Sequence, residues 1–253
     1  MKKRIIVLSL AIIFMLAASA YSQVLLTDKF DSFDPALWTD YSYNQGVSYT
    51  ENGYLVQKGL QDVYGSTGEI RSNFNLEGDY ITQIDFDLAV FNAGFSAAEF
   101  GVKAIDGSYL LKIYRSYEFS TDQTYLSFWM SYGIGQTVEG ILSDDVSGKF
   151  RLSRFGNQIS SYYWSEGSWQ LLMQDMLPDG YNAPGKVYIL TGGDNTNTSP
   201  EVEAHYDNFM ADASTITGVD GGYLVAQPEP GTIILLGTGL LGLGAFNYIR
   251  RRK

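Results

Sequence analysis

From Val24 to about Asp212 the chain is a succession of short runs in which apolar and polar residues alternate, each closed by Gly, Asn, Asp or Ser. This period of two is that of strands with one buried face, and it confines the chain to sheet architectures. Ile81 to Val90 shows it most plainly: Ile84, Phe86, Leu88 and Val90 fall on one side and Asp85 and Asp87 on the other. The first set is core and the second is the outer face.

Phe100 to Ala104 and Tyr109 to Tyr114 read as a hairpin turning at Asp106-Gly107, a favoured hairpin dipeptide. Thr124 to Tyr132 and Gly148 to Phe155 continue the series. Gln158 to Trp164 follows a turn at Gly156-Asn157, and Trp169 to Met173 follows one at Glu166-Gly167. Lys186 to Thr191 and Val202 to Phe209 close it, with no ten-residue amphipathic helix between them. So many strands in about 190 residues predict an all-β fold, an antiparallel two-sheet β-sandwich or jelly roll over residues 24–213. Cysteine is absent, which removes disulfides and thiol chemistry and leaves the fold to its core. Aromatic residues make up 15% of the chain, so that core can be large.

The two ends differ from the body. Lys2, Lys3 and Arg4 precede an apolar run from Ile5 to Ala17 and then Ala18-Ser19-Ala20, the three zones of a secretory signal peptide over 1–20. The apolar run extends only about 20 Å as a helix, short of a hydrocarbon core of about 30 Å. A Gly-containing linker over 214–227 leads to Gly231 to Ile249, which has no charge and reaches roughly 28 Å as a helix, enough for a transmembrane segment over 231–249. Glycines 237, 239, 242 and 244 suit close packing in a membrane. Arg250, Arg251, Arg252 and Lys253 form a basic tail over 250–253 that the positive-inside rule keeps in the cytoplasm, with the body outside.

Pro228-Glu229-Pro230, an apolar segment and an arginine-rich end, in that order over 228–253, resemble the PEP-CTERM sorting signal of Gram-negative bacteria. The resemblance implies export through the Sec translocon and recognition by an exosortase, which takes Pro228, Glu229, Pro230, Arg250, Arg251 and Arg252 as its sorting motif. It also implies a membrane-anchored intermediate and then a place at the cell surface or in the extracellular matrix. Seven of the 17 basic residues lie in the two ends, and Glu229 is one of the 28 acids, so the stretch between carries about minus 17. That balance excludes nucleic acid as a partner.

Three pieces of the body are similar to the concanavalin A-like, or laminin G-like, jelly-roll superfamily of glucanases, lectins and carbohydrate-binding modules. They are Asp28 to Thr39 with its Trp38, Gly148 to Leu172, and Glu203 to Ala211. In some glucanases of that superfamily Glu-x-Asp-x-Glu on one strand supplies nucleophile, helper and acid. The corresponding run here is Gln83-Ile84-Asp85-Phe86-Asp87, which lacks the first carboxylate, so the expectation is a protein without enzymatic activity. His205 is the sole histidine and reads as structural, and no Gly-x-Ser-x-Gly elbow is present.

Sugars stack on aromatic rings while carboxylates and amides bond their hydroxyls. Tyr163, Trp169, Asp85 and Asp87 are the candidate carbohydrate-binding residues, with Trp38 and Trp129 assigned to the core. Asp31, Asp34, Asp207 and Asn208 are the candidate ligands of a calcium ion, against the alternative that they only form turns. The expected role is a non-catalytic carbohydrate-binding or structural sandwich associated with extracellular polysaccharide. The rival is a glycoside hydrolase or lyase of the same fold, which two carboxyls across an aromatic-lined groove would favour.

Overall fold

The computed structural model describes residues 24–218 apart from 61, 62, 64, 92–95, 119–122, 134 and 194–200. The signal peptide expected over 1–20, the transmembrane segment expected over 231–249 and the sorting motif lie outside the described residues. Among those described, no helix is long and apolar enough to cross a membrane.

The described chain is a series of strands: β1 Val24–Asp28, β2 Trp38–Asp40, β3 Val47–Glu51, β4 Tyr54–Gly59, β5 Thr67–Ser72, β6 Asn75–Phe91, β7 Ser96–Ala104, β8 Tyr109–Glu118, β9 Gln123–Tyr132, β10 Gly135–Leu142, β11 Ser147–Phe155, β12 Gln158–Ser165, β13 Ser168–Met176, β14 Gly185–Gly193 and β15 Val202–Thr217. They form two antiparallel layers. One runs β13-β12-β11-β6-β15-β4-β3, with β1 also on β15, and the other β10-β9-β8-β7-β14-β5-β2. A single pairing, Gly185 with Leu76, links the layers. This is the jelly roll that the alternation predicts.

Hairpins anticipated from turn residues are present, with Gly107 in the left-handed region at β7–β8 and both Glu166 and Gly167 there at β12–β13. The closing strand runs on to Thr217, past the domain boundary expected at 213. It pairs with β6 from Val202↔Phe91 to Thr217↔Asn75, interrupted by bulges, one of them between Asp207 and Met210.

Trp38 is the centre of the core. It is 1% exposed and meets the rings of Phe209 at 5.0 Å, Phe74 at 5.7 Å and Phe30 at 5.8 Å. Phe209 also faces Phe100 of the opposite layer, so the cluster spans the sandwich. Asp28 organises its edge: one carboxylate oxygen accepts the Trp38 indole N–H at 2.8 Å, and the other accepts the Phe30 backbone N–H at 2.8 Å. Phe30 has φ of 53°, an unfavourable angle for a bulky residue, and that second bond helps to hold it there.

Asp28→Ala strips a buried indole and a strained backbone amide of their acceptor. The expected loss is about 1–3 kcal/mol, measured by chemical denaturation against the parent, with Phe209→Ala costing about 3–5 kcal/mol.

Candidate functional site

Because neighbouring residues on a strand face opposite sides, each core residue of the β5-β14-β7-β8 layer fixes its neighbours outward. Ile70, Ile189, Phe100, Val102, Leu111 and Ile113 are all 0% exposed. The outward residues fall into three cross-strand rungs. The first is Glu69–Leu190–Glu99–Tyr114, the second Arg71–Tyr188–Gly101–Lys112–Trp129, and the third Lys186–Lys103–Leu110. All of them but Gly101, Tyr114 and Trp129 line an open hollow of about 420 Å³, within the usual size of ligand sites.

Tyr188 lies across the middle. A Cβ at Gly101 would collide with its ring, so the glycine is what lets the ring lie against β7. Burial, then the charges of Glu99 and Glu69 and a hydrogen bond with Glu99, push the Tyr188 hydroxyl well above its ordinary pKa, leaving it a neutral donor. Glu69 and Glu99 stand on either side, both opposite Leu190. Arg71 Nε bonds Glu69 Oε1 at 2.5 Å, and Lys112 Nζ bonds Glu99 Oε1 at 2.8 Å. The rim is aromatic: the Arg71 guanidinium lies 4.3 Å from the Tyr41 ring, and the Lys112 ammonium lies 4.7 Å from Tyr114 and 5.0 Å from Trp129. Another hollow, at Gln123, Thr124, Leu142, Ser143 and Asp144, is lined by one carboxylate and no aromatic ring.

The residues singled out by sequence lie elsewhere. Gln83, Asp85 and Asp87 occupy the outer face of β6, in the other layer. Asp85 accepts from Lys149 at 2.8 and 3.0 Å and from Asn208 at 3.1 Å, and Gln83 accepts from Arg151 at 2.8 and 3.3 Å. Trp169 shares this face beneath the Arg151 guanidinium, 3.8 Å from its ring. Tyr163 does not. It pairs with fully buried Phe150 and borders the inter-sheet space with Phe86 and Leu126, so it faces inward. Trp129, expected in the core, is half-buried on the hollow.

Of the calcium candidates, Asp34 caps a turn by accepting the Ala36 N–H at 2.8 Å, and Asp207 bonds the backbone and side chain of Asn208. Among the described residues no group of three or more His, Cys, Asp or Glu side chains is placed to hold a metal ion. His205 bonds Glu203 at 2.7 Å, and Glu203 also pairs with Lys58 at 2.7 Å.

Residues 228–252 match the PEP-CTERM protein-sorting motif. The motif marks the chain for export through a membrane-anchored intermediate and for processing by an exosortase. Among curated proteins, none matches the chain by sequence. Among solved structures, the body is similar to the β-glucanase of Bacillus licheniformis, with TM-score 0.55 and 17% identity over 76% of this chain and 98% of that one. It is similar to SCLam, a non-specific endo-β-1,3(4)-glucanase from family GH16, with TM-score 0.53 and 12% identity over 75% and 91%. The CBM2 module of the evolved Dit protein of Lactobacillus casei BL23 phage J-1 gives TM-score 0.56 and 12% identity over 75% and 96%.

The fold is therefore the concanavalin A-like jelly roll of glucanases and carbohydrate-binding modules. That finding overturns the expectation of a protein without enzymatic activity. The expectation rested on a missing carboxylate at Gln83, a residue on the layer opposite the hollow, and the hollow has carboxylates of its own.

Asp207 gives a pH-dependent check on the other layer. Burial, then the charges of Asp85 and Asp31, raise its pKa above the usual aspartate value. Its contribution to stability is thus present below the unfolded pKa and lost as pH rises through the folded one. In chelator at pH 7, Asp207→Asn is expected to raise Tm by about 1–2 °C, a gain that vanishes near pH 3. A rise in the parent's Tm on adding calcium, absent in the variant, would support a calcium site here.

Proposed function

We propose that the chain is an exported surface protein that seats a polysaccharide in the β5-β14-β7-β8 hollow and hydrolyses it there, as a glycoside hydrolase. The observation that carries this reading is the pair of glutamates, Glu69 and Glu99, flanking Tyr188 in a hollow rimmed by Tyr41, Tyr114 and Trp129. Rings stack on the apolar faces of sugars, and two carboxyls across the stacked chain are what acid–base cleavage of a glycosidic bond requires.

The backbones of Glu69 and Glu99 stand two strand spacings apart, roughly 9–10 Å. Carboxyls standing upright over those backbones would keep about that spacing, nearer to the ~6.5–9.5 Å carboxyl separation of inverting hydrolysis, which leaves room for a water, than to the ~5–5.5 Å of retaining hydrolysis. Both carboxylates are ion-paired in the free protein, so the one that donates a proton must first be released. Lys112 covers Tyr114 and Trp129, and a sugar stacked on those rings displaces it from Glu99. This assigns Glu99 as acid and Glu69, buried beside Arg71, as the base that activates water.

The test is release of reducing ends from mixed-linkage β-glucan, laminarin and acidic polysaccharides by the purified full chain. Glu69→Gln and Glu99→Gln should each lower the rate on the order of 10²-fold or more with Tm preserved. The first-formed product should carry the inverted anomeric configuration. No release from any of these glycans, or release that survives both substitutions, would overturn the reading.

A further inference from the structure

The third rung, Lys186–Lys103–Leu110, is not used by the hydrolytic pair. Lys103 of β7 and Lys186 of β14 are directly opposite in register, and both line the hollow. Like charges directly opposite on one sheet face repel, at a cost to the fold. Glu69 is paired with Arg71 and Glu99 with Lys112. Among the described residues neither Lys103 nor Lys186 forms an ion pair; the lysines that do are Lys58, Lys112 and Lys149.

Charge in the hollow is therefore uneven. Glu69, Arg71, Glu99 and Lys112 cancel in pairs, and the two remaining lysines leave the hollow positive, on a body whose net charge is about minus 17. On a body of that net charge a polyanion meets overall repulsion, so local attraction in one aromatic-rimmed hollow favours both an anionic ligand and that position for it.

On the reading that the hollow seats a polysaccharide, we infer that its substrate is an anionic one, whose carboxylate or sulfate group sits between Lys103 and Lys186. The rung lies two rungs from Glu69 and Glu99. With alternate residues about 6.8 Å apart along a strand, two rungs place the anion roughly 13–14 Å from the carboxylate pair. That exceeds the length of a single sugar ring, so the charged group belongs to a unit beyond the ones being cleaved. Lys103 and Lys186 are thus binding residues, separate from the acid–base pair.

The experiment is equilibrium binding of the full chain to polygalacturonate, dextran sulfate, laminarin and mixed-linkage β-glucan, repeated with a Lys103→Gln/Lys186→Gln variant. The expected result is at least tenfold tighter binding of one or both anionic polymers than of the neutral ones. The anionic polymer that binds tighter identifies carboxylate or sulfate as the recognised group. The double variant should lose that tenfold while binding neutral glycans as before, and its Tm should stay level or rise because the repulsion is gone. Neutral glycans bound as tightly as anionic ones, or anionic binding unchanged in the variant, would overturn the inference and leave the hollow's glycan role standing. Failure to bind any of the four polymers would remove that role and the inference with it.

Discussion

The contact between the opening and closing segments around Trp38 is the constraint on which the rest of the sandwich depends. Trp38 belongs to one layer and Phe209 to the other, and their rings meet at 5.0 Å. Asp28 fixes Trp38 and the strained Phe30 at once. The bulge of β15 between Asp207 and Met210 lies where Phe209 enters the core. With the ends of the domain closed in this way, a chain without cysteines holds two large sheets in one register.

That register is what builds the hollow. Phe100 is fully buried between Glu99 and Gly101, and Ile189 between Tyr188 and Leu190. A slip of one residue in β7 would turn Phe100 to solvent and bury Glu99, and one in β14 would turn Ile189 out and Lys186 in, so the core holds the rungs in place. The same alternation explains why a face with six charged residues is compatible with the core beneath it. Four of those charges are satisfied across or along the strands by Arg71–Glu69 and Lys112–Glu99, and the opposed lysines are left over.

Period-two patterning and turn dipeptides made most of the central strands legible, and the hairpins at Gly107 and Gly167 lie where those residues predict them. Strand β5 is not legible in the sequence because Thr67 to Ser72 is short, polar and mostly buried on both sides. Strand β10 is largely exposed and has no apolar face to read. The opening and closing pieces that resemble the jelly-roll superfamily do meet, through Trp38 and Phe209. The hollow was not legible for a topological reason: Glu69 and Glu99 become neighbours only because β14, distant in sequence, pairs with both of their strands. Outward Glu, Gly and Lys at alternate positions of β7 were visible, but nothing local says which layer faces a ligand. For the same reason the sequence alone points to Asp85 and Asp87 and places Trp129 in the core.

The four tryptophans offer the most direct test of where a glycan is seated. Trp129 stands on the hollow beside Lys112, Trp164 and Trp169 lie together on β12 and β13 of the other layer, and Trp38 is internal. The indole N–H signals of the full chain can be followed by NMR during titration with fragments of polygalacturonate and of mixed-linkage β-glucan. The expected result is a saturable shift of the Trp129 signal with those of Trp164, Trp169 and Trp38 nearly still. Movement of Trp164 and Trp169 with Trp129 unchanged would place the glycan on the opposite layer and contradict the assignment of the site.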